Sequence, residues 1–295
     1  MYYHGLTAQK IRHPMSQFAF VTTCKGRLHH LQQTLPLIVA DAPDEVVVVD
    51  YGCPQRSGDW VEANFPQVTV VRVIDDPGFH LARARNAGAA ACTASWICFI
   101  DADVRIRPGF VAWMRGNARE RRFYRQAPVD GKRDPEAHGT VVCPHRAFKA
   151  IEGYDELFTG WGGEDDDLYD RLLSAGLSMH HYPAAMVDPI SHGDTERLAF
   201  HALKRKDLQH IINMFYRTTK MQVMALRGIR TELPLPARRE LQRMVESAVM
   251  QWGGDAGKPF PSIRLSLKDA DWLPPPYRLL TKAELTLTMD LAQEP

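Results

Sequence analysis

The stretch HLARARNAGAAACTASWICFIDADV, residues 80–104, decides the fold. Its Ala-rich first part, 80–92, has the composition of a helix, and SWICFI at 95–100 is a continuous apolar run of strand length. Such a run is typical of a strand that is buried on both faces. Asp101 and Asp103 follow directly, at the carboxyl end of that strand. Open α/β sheets bind their ligands at this edge, which makes it the first candidate for a functional site.

Strand-like and helix-like segments alternate along the chain before this stretch. The strand patterns cover 17–23, 45–50 and 68–74, and the helix patterns cover 28–40 and 59–65. Because parallel strands are joined by crossover helices, this order predicts an α/β fold. The expected architecture is Rossmann-like, with a central, mostly parallel sheet flanked by helices.

The chain is expected to have three regions. Residues 1–15 precede the first strand and are interpreted as an N-terminal extension, and the α/β domain is predicted over 16–195. Helix patterns at 197–218 and within 232–252 predict that 196–295 form a helical C-terminal extension. The Pro-rich remainder of that extension is expected to wrap the surface.

Composition excludes several classes of function. With 295 residues and a net charge of +1, the protein has no global field that would recruit nucleic acid. No apolar run is long enough to span a bilayer, no signal peptide is recognisable, and the five cysteines have no framework spacing. A cytoplasmic location is therefore expected. For the basic helix pattern a solvated face is one interpretation, and peripheral contact with the inner face of a membrane is the other.

The acidic pair at the end of the 95–100 strand suggests a metal site. Carboxylate oxygens of a D-x-D motif suit Mg²⁺ or Mn²⁺ that bridges phosphate oxygens. The alternative is an Asx turn that merely ends the strand. The segment 22–31, TTCKGRLHHL, has neither the dinucleotide-binding nor the P-loop glycine pattern, which argues against those two nucleotide-binding classes.

A second acidic motif is GWGGEDDDLYDRL, residues 160–172, with four adjacent carboxylates. Acidic residues are favoured in the first turn of a helix by the macrodipole, which is one explanation. At about 100° per residue, however, Asp165 shares a face with Leu168 and Leu172, the face expected to pack inward. Asp167 is expected on the solvent side. An inward carboxylate that backbone N–H groups keep charged is suited to act as a general base.

The order of these motifs resembles family 2 glycosyltransferases of the GT-A fold, over residues 16–195. The segment 153–176, which contains GWGGEDDD, is similar to the acceptor-side motif of the β-1,4-galactosyltransferases. The resemblance implies a nucleotide-sugar donor, most often a UDP-sugar, a divalent metal ion, and a glycan or glycoconjugate acceptor.

On the donor side the resemblance implies several roles. The matching donor-binding positions are Thr22, Arg27, Asp50, Arg83, Arg85, Asn86 and Asp101. Asp103 matches the direct metal ligand, and His192 matches a histidine that completes the metal site. An imidazole ligand favours Mn²⁺ over Mg²⁺. Tyr51 departs from the pattern, because many family members carry a second acid there, and this leaves open whether the nucleotide is uridine.

On the acceptor side the resemblance implies that Asp165 is the catalytic base. Glu164 and Asp166 are expected to hold acceptor hydroxyls, and Gly163 belongs to the same acceptor-binding loop. Trp161 is expected to offer its ring to a sugar, with plain core packing as the alternative. One base without a covalent nucleophile implies an inverting transfer. The alternatives are a retaining enzyme resembling the polypeptide N-acetylgalactosaminyltransferases, and a non-catalytic module that binds nucleotide sugars or glycans.

Overall fold

A computed structural model describes residues 17–191, 193, 199–272 and 276–291. The expected extension at 1–15 lies outside the described residues. The described chain forms two compact units: the first comprises 17–77, 84–150 and 176–191, and the second comprises 78–83, 151–175 and the described residues from 193 onwards. The acidic segment at 160–172 thus groups with the C-terminal residues. The limits 16–195 and 196–295 for separate domains stay a prediction.

The first unit is built on a seven-stranded sheet with the order β3-β2-β1-β4-β7-β6-β8. Its strands are β1 (Phe18–Cys24), β2 (Glu45–Asp50), β3 (Thr69–Arg72), β4 (Trp96–Phe99), β6 (Arg122–Gln126), β7 (Val141–Pro144) and β8 (Ser178–Tyr182). Two short strands, β5 (Val104–Ile106) and β9 (Val187–Pro189), pair separately. Only β7 runs antiparallel to its neighbours within the described sheet. The predicted α/β fold with a mostly parallel central sheet is confirmed.

Helices flank this sheet. They are α1 (Leu28–Ala40), α2 (Ser57–Asn64), α3 (Leu81–Ala90), α4 (Phe110–Asn117) and α5 (His145–Ala150). The Ala-rich α3 lies unusually close to the strands, and Gly88 makes this possible. A Cβ at Gly88 would lie 2.4 Å from Cγ1 of Val21 and 2.9 Å from Cγ2 of Val49. Close packing at this point holds the carboxyl ends of β1 and β2 beside the helix.

The second unit contains α6 (Glu164–Ser174), α7 (Lys206–Leu226), α8 (Leu235–Trp252) and the strands β10 (Ser262–Trp272) and β11 (Arg278–Thr288). Both predicted C-terminal helices exist. Of the range 197–218 predicted for the first, the described residues 199–205 are not helical, and the helix begins at Lys206. The expectation of a Pro-rich segment on the surface is wrong for 262–288, because β10 and β11 form an antiparallel ribbon. Ile263 and Leu265 alternate with exposed residues and pack in the same core as Val245 and Val249 of α8.

Candidate functional site

Two acidic side chains occupy a tight turn at the carboxyl edge of the sheet in the first unit. The turn joins β4 to β5, and the N–H of Val104 donates to the carbonyl of Asp101 at 3.0 Å. The hydroxyl of Thr34 on α1 donates to the carbonyl of Ala102 at 2.9 Å. The backbone is therefore fixed on both sides of Asp103, and the D-x-D motif lies at the edge predicted from the sequence.

Each of these carboxylates is paired with an arginine. Nη2 of Arg85 lies 2.8 Å from Oδ1 of Asp101, and the Arg85 side chain is only 2% exposed. Nη1 of Arg27 lies 2.8 Å from Oδ2 of Asp103. Guanidinium groups bind carboxylate and phosphate oxygens with the same forked geometry. The edge thus combines oxygen ligands for a cation with donors for a phosphate.

The surroundings of Asp103 fit a divalent cation. Asp103 supplies the hard carboxylate oxygen atoms that Mn²⁺ and Mg²⁺ prefer, and one of them is paired with the guanidinium of Arg27. The carbonyl of Asp103 also accepts the N–H of Ile190 at 2.7 Å, next to the pairing of β5 with β9. His192, the other predicted ligand, lies outside the described residues, and its role stays a prediction.

Asp50 is used to hold the loop that follows β2. Its Oδ1 accepts the N–H of Cys53 at 2.7 Å, and its Oδ2 accepts the N–H of Gly58 at 2.6 Å at the start of α2. Both carboxylate oxygens therefore have a structural role, and a donor contact by Asp50 stays a prediction. The buried Tyr51, which departs from the family pattern, donates its hydroxyl to Oδ2 of Asp76 at 2.5 Å. The carboxylate of Asp76 therefore lies near the same edge of the sheet, which the sequence analysis did not predict.

The other predicted donor positions differ in their exposure. Thr22 is only 1% exposed, and among the described residues its hydroxyl has no hydrogen-bond partner. Thr22 could contact a nucleotide-sugar donor only if the residues that cover its side chain moved away. Arg83 and Asn86 are half-buried on α3. Their roles stay predictions.

In the second unit, α6 begins within the EDDD motif. Gly163, with φ of 96°, precedes the first helical residue, Glu164. Asp165 is 8% exposed, and Leu168 and Leu172 on the same face are fully buried, so its predicted inward face is confirmed. The hydroxyl of Tyr154 donates to Oδ1 of Asp165 at 3.4 Å. Glu164 is buried as well, and Asp166 is half-buried.

The expectation that Asp167 faces solvent is wrong. Its side chain is completely buried, with Oδ2 at 2.7 Å from Nη2 of Arg171 and Oδ1 at 2.5 Å from Nζ of Lys220. The helical angle correctly predicts that Asp165 and Asp167 lie on different faces of α6. The opposite face of α6 is covered by α7, however, and that helix supplies the compensating ammonium group.

Asp167 belongs to a buried network of acidic and basic side chains. Oxygen atoms of Asp155, Asp167 and Glu232 lie within 4.8 Å of one another, as metal ligands would. Three cations already compensate these three acids, namely Lys220, Arg171 and Arg238. Burial raises the pKa of Asp155, but Lys220 and Arg238 outweigh it and bring this pKa down to about 2. The charge balance identifies the network as a structural element of the second unit.

Trp161 precedes α6 in the chain, and its ring contacts the N-terminal part of α7. Nζ of Lys206 stands over its ring at 4.3 Å from the centroid, and the ring of His210 lies 5.3 Å away. One face of this half-buried indole is thus in contact with protein groups, and sugar stacking by Trp161 stays a prediction. The sequence analysis missed the α7 residues that hold this loop, Gln209 and Asn213. The signal was the spacing of polar residues 209, 213, 216 and 220, which fall on one helical face that proves to be buried.

Comparison with known families agrees with this geometry. Residues 20–123 match the model "Glycosyl transferase family 2", and residues 129–194 match the model described as "N-terminal domain of galactosyltransferase". The second match contains the GWGGEDDD motif. In the described part of the chain, no helix has both the length and the apolar character needed to cross a membrane.

Similar proteins were found by sequence and by structure. The pre-mycofactocin glycosyltransferase of Mycobacterium tuberculosis is 32% identical over 48% of this chain and 36% of the relative, so the chain spans about a third of that protein. GalNAc-T7, solved with UDP, GalNAc and Mn²⁺, superposes with a TM-score of 0.55 at 14% identity, covering 80% of this chain and 56% of the other. The mannosyltransferase PcManGT of Pyrobaculum calidifontis, solved with GDP-Man and Mn²⁺, gives 0.53 at 15% identity, covering 83% and 77%. At these identities the two superpositions show the fold alone. Residues 20–123 of the chain are therefore similar to family 2 glycosyl transferases and residues 129–194 to galactosyltransferases, in a GT-A-like fold shared with the two solved glycosyltransferases.

Proposed function

We propose that this chain is a glycosyltransferase that uses a nucleotide-diphosphate sugar, a UDP-sugar, as its donor. It transfers a sugar of the galactose, N-acetylgalactosamine or N-acetylglucosamine type to a hydroxyl group of a glycan or glycoconjugate. One observation carries the proposal. Within the segment that matches family 2, Asp101 and Asp103 stand at the carboxyl edge of β4, and each has an arginine nitrogen at 2.8 Å.

The donor side of the proposal assigns roles to these four side chains. Asp103 and His192 would hold Mn²⁺ or Mg²⁺, and such an ion supplies positive charge to a departing diphosphate. Asp101 would lie beside them and bind the ribose or the sugar of the donor. Arg85 is buried and fixes the carboxylate of Asp101. Arg27 is more exposed than Arg85, with 23% of its side chain accessible, and this accessibility allows it to bind a phosphate oxygen beside Asp103.

The solved structures that share this fold support a nucleotide-sugar donor but do not identify its nucleobase. One of the two solved structures contains UDP and the other contains GDP-Man, and both contain Mn²⁺. The fold therefore serves more than one nucleotide. Since Tyr51 stands where many family 2 enzymes have an acid, the donor screen must include a guanosine nucleotide.

The acceptor side assigns the chemistry to the start of α6. Asp165 takes the proton from the acceptor hydroxyl as that oxygen attacks the anomeric carbon, a role typically worth ~10²–10⁴-fold in rate. Glu164 and Asp166 bind neighbouring acceptor hydroxyls, and Trp161 and Gly163 form the loop beside them. Because a single base acts without a covalent nucleophile, the sugar is transferred with inversion.

The first test is a thermal-shift screen with UDP-galactose, UDP-N-acetylgalactosamine, UDP-N-acetylglucosamine and GDP-mannose, each with and without Mn²⁺. A donor at about 100 times its Kd stabilises a protein by roughly 2.7 kcal/mol, which raises the melting temperature measurably. We expect one of the UDP-sugars to do so in the presence of Mn²⁺. If no nucleotide sugar shifts the transition, the donor assignment is wrong.

The second test uses transfer kinetics with the donor that the screen identifies. Asp165→Asn should lower kcat ~10²–10⁴-fold while the donor-induced thermal shift persists. The exposed Asp290→Asn is the matched control and should change neither quantity. Transfer that survives Asp165→Asn would remove this residue as the base. An NMR spectrum of the product distinguishes the alternatives: a retained anomeric configuration would favour the retaining mechanism, and binding without any turnover would favour a non-catalytic module.

A further inference from the structure

Asn213 on α7 binds the backbone of the acceptor loop, which we define as residues 159–163. Its Nδ2 lies 3.0 Å from the carbonyl oxygen of Thr159, 3.3 Å from that of Trp161 and 2.7 Å from that of Gly162. The Asn213 side chain is 2% exposed, so water does not substitute for these contacts. Backbone carbonyl groups that are withdrawn from water need a donor, and this one buried amide contacts three carbonyl groups of the loop.

Gln209, one turn earlier on α7, binds a backbone N–H group of the same loop. Its Oε1 accepts the N–H of Trp161 at 2.5 Å, and its Nε2 donates to the carbonyl of Leu203. Gln209 is 3% exposed. This amide therefore joins the acceptor loop to the residues that lead into α7.

The glycines of the acceptor loop show how closely α7 approaches it. Gly160 has φ of +78°, and a Cβ there would lie 2.3 Å from Oε1 of Gln209. Gly163 has φ of +96°, and a Cβ there would lie 2.9 Å from Cβ of Asn213. Any side chain at either position would collide with α7, so the loop conformation depends on this helix. Because α7 begins at Lys206, it lies outside the segments matched by the two family models.

We propose that Asn213 and Gln209 are positioning residues for the sugar acceptor. They set the conformation of the acceptor loop, and with it the place of Trp161 and the direction in which α6 leaves Gly163. Since Asp165 is in the first turn of α6, its carboxylate is aimed by the same contacts. This inference rests on the proposed function, and it extends the acceptor site to a helix that carries none of the family motifs.

The test compares two isosteric substitutions, each of which removes one amide donor. Asn213→Asp replaces the donor with a carboxylate oxygen that faces three carbonyl oxygens. Gln209→Glu keeps an oxygen to accept the N–H of Trp161, but its second oxygen faces the carbonyl of Leu203. The probes are N-acetylglucosamine as acceptor and, as donor, UDP-galactose or another UDP-sugar of the screen that is turned over, in Mn²⁺.

For Asn213→Asp we expect kcat/KM for the acceptor to fall about 10²-fold, the size of effect that small misplacements of reacting groups produce. Most of the loss should appear in the acceptor KM. Slow hydrolysis of the donor without acceptor, and the donor-induced thermal shift, should stay within about twofold, because the contacts of Asn213 are with the acceptor loop. Gln209→Glu should lower the acceptor efficiency as well, because it loses the donor to the carbonyl of Leu203. Asn117→Asp is the matched control, since Asn117 also donates to a carbonyl, that of Trp113 at 2.8 Å, but is exposed.

Amide hydrogen exchange gives a readout that does not depend on activity. Exchange across 159–163 should become faster in Asn213→Asp and stay near the parent rate in Asn117→Asp. If no donor is ever turned over, the proposed function fails but the exchange result still decides whether Asn213 holds the loop. Should Asn213→Asp not fold, Gln209→Leu, which removes the acceptor for the Trp161 N–H, takes its place with the same expected split. Equal losses in the acceptor reaction and in donor hydrolysis, an unchanged acceptor KM, or unchanged exchange would each overturn the inference.

Discussion

Removal of the Lys220 ammonium tests what stabilises the second unit. Its Nζ lies 2.9 Å from Oδ2 of Asp155, 2.5 Å from Oδ1 of Asp167 and 3.0 Å from Oε2 of Glu232, and all four side chains are at most 1% exposed. We expect Lys220→Met to lower the free energy of unfolding by about 3–5 kcal/mol, the usual cost of removing one partner from a buried ion pair.

The magnitude follows from two opposing contributions. At about 3 Å and an effective dielectric constant of about 20, each contact with a carboxylate contributes roughly 5 kcal/mol of attraction. Against this stands the desolvation of the ammonium group, which costs several kcal/mol. Met has nearly the volume of Lys, so the substitution leaves little cavity and the change in stability reports on charge. The variant retains three buried acids with two guanidinium partners, Arg171 and Arg238.

Urea unfolding, followed by intrinsic fluorescence, measures the effect through the midpoint and the m-value. Lys258→Met is the matched control: its ammonium donates to the carbonyl of Gln251 at 3.0 Å on the exposed surface, and we expect a change within about 0.5 kcal/mol.

A double-mutant cycle separates charge balance from packing. Lys220→Met leaves three buried acids with two cations, and adding Asp155→Asn removes the excess negative charge. The double variant should therefore be more stable than the sum of the single effects predicts, by at least about 1 kcal/mol. Strict additivity, or a cost below about 1 kcal/mol for Lys220→Met alone, would refute the view that charge compensation holds this network.

Three further predictions concern other parts of the molecule. Burial raises the pKa of Asp155 and its cations bring it down to about 2, so its stabilising contribution is complete above the unfolded pKa of about 4 and is lost as the pH falls through about 2; Asp155→Asn should remove roughly 2 kcal/mol of the acid-induced loss in unfolding free energy. Gly88→Ala should cost about 1–3 kcal/mol in urea unfolding because its Cβ would meet two valines, whereas Gly116→Ala on α4, with no atom within 4 Å, should stabilise by up to about 1 kcal/mol; equal effects would contradict the packing argument. A hydrogen bond from the Cys24 thiol lowers the pKa of Cys53 to about 5, against the effect of burial, while burial raises that of Cys143 to about 12, so iodoacetamide near pH 7 should alkylate Cys53 first in peptide mass spectra; equal labelling would refute the thiolate assignment.

The central sheet was predictable because its pattern is local. A strand covered on both faces is apolar along its buried length, and the runs at 18–21, 46–49 and 96–100 satisfy this requirement. The position of Asp101 and Asp103 followed, since any residue directly after such a strand lies at the carboxyl edge. Arg27 and Arg85 were named only by resemblance, as donor-binding residues. Their pairing with the two acids was not predicted, because it depends on how the helices pack.

The C-terminal region was less predictable because its signals were weak or distant. The ribbon of β10 and β11 alternates with period two, but a Pro-rich segment separates the strands and hides the hairpin. Asp167 shows the other limit. Helical geometry states which residues share a face, but it does not state what covers the opposite face. Arg171, one turn away, is one of the two cations that compensate Asp167, but the other, Lys220, is 53 residues further along the chain.

The buried face of α7 connects these observations. Its N-terminal half holds the acceptor loop through the amides of Gln209 and Asn213, and its C-terminal half holds α6 through charge. Arg217 pairs with Asp170 at 2.5 Å, and Lys220 pairs with Asp167 at the same distance. These two pairs follow opposite chain directions, as antiparallel helices require. Two of the acids in the EDDDLYD segment therefore fix the helix, and neither of them is Asp165, which we propose as the base. Neighbouring carboxylates are tolerable here because α7 supplies a cation for each acid that faces it. Under the proposal, the acids that stabilise α6 are distinct from the acid that takes the acceptor proton.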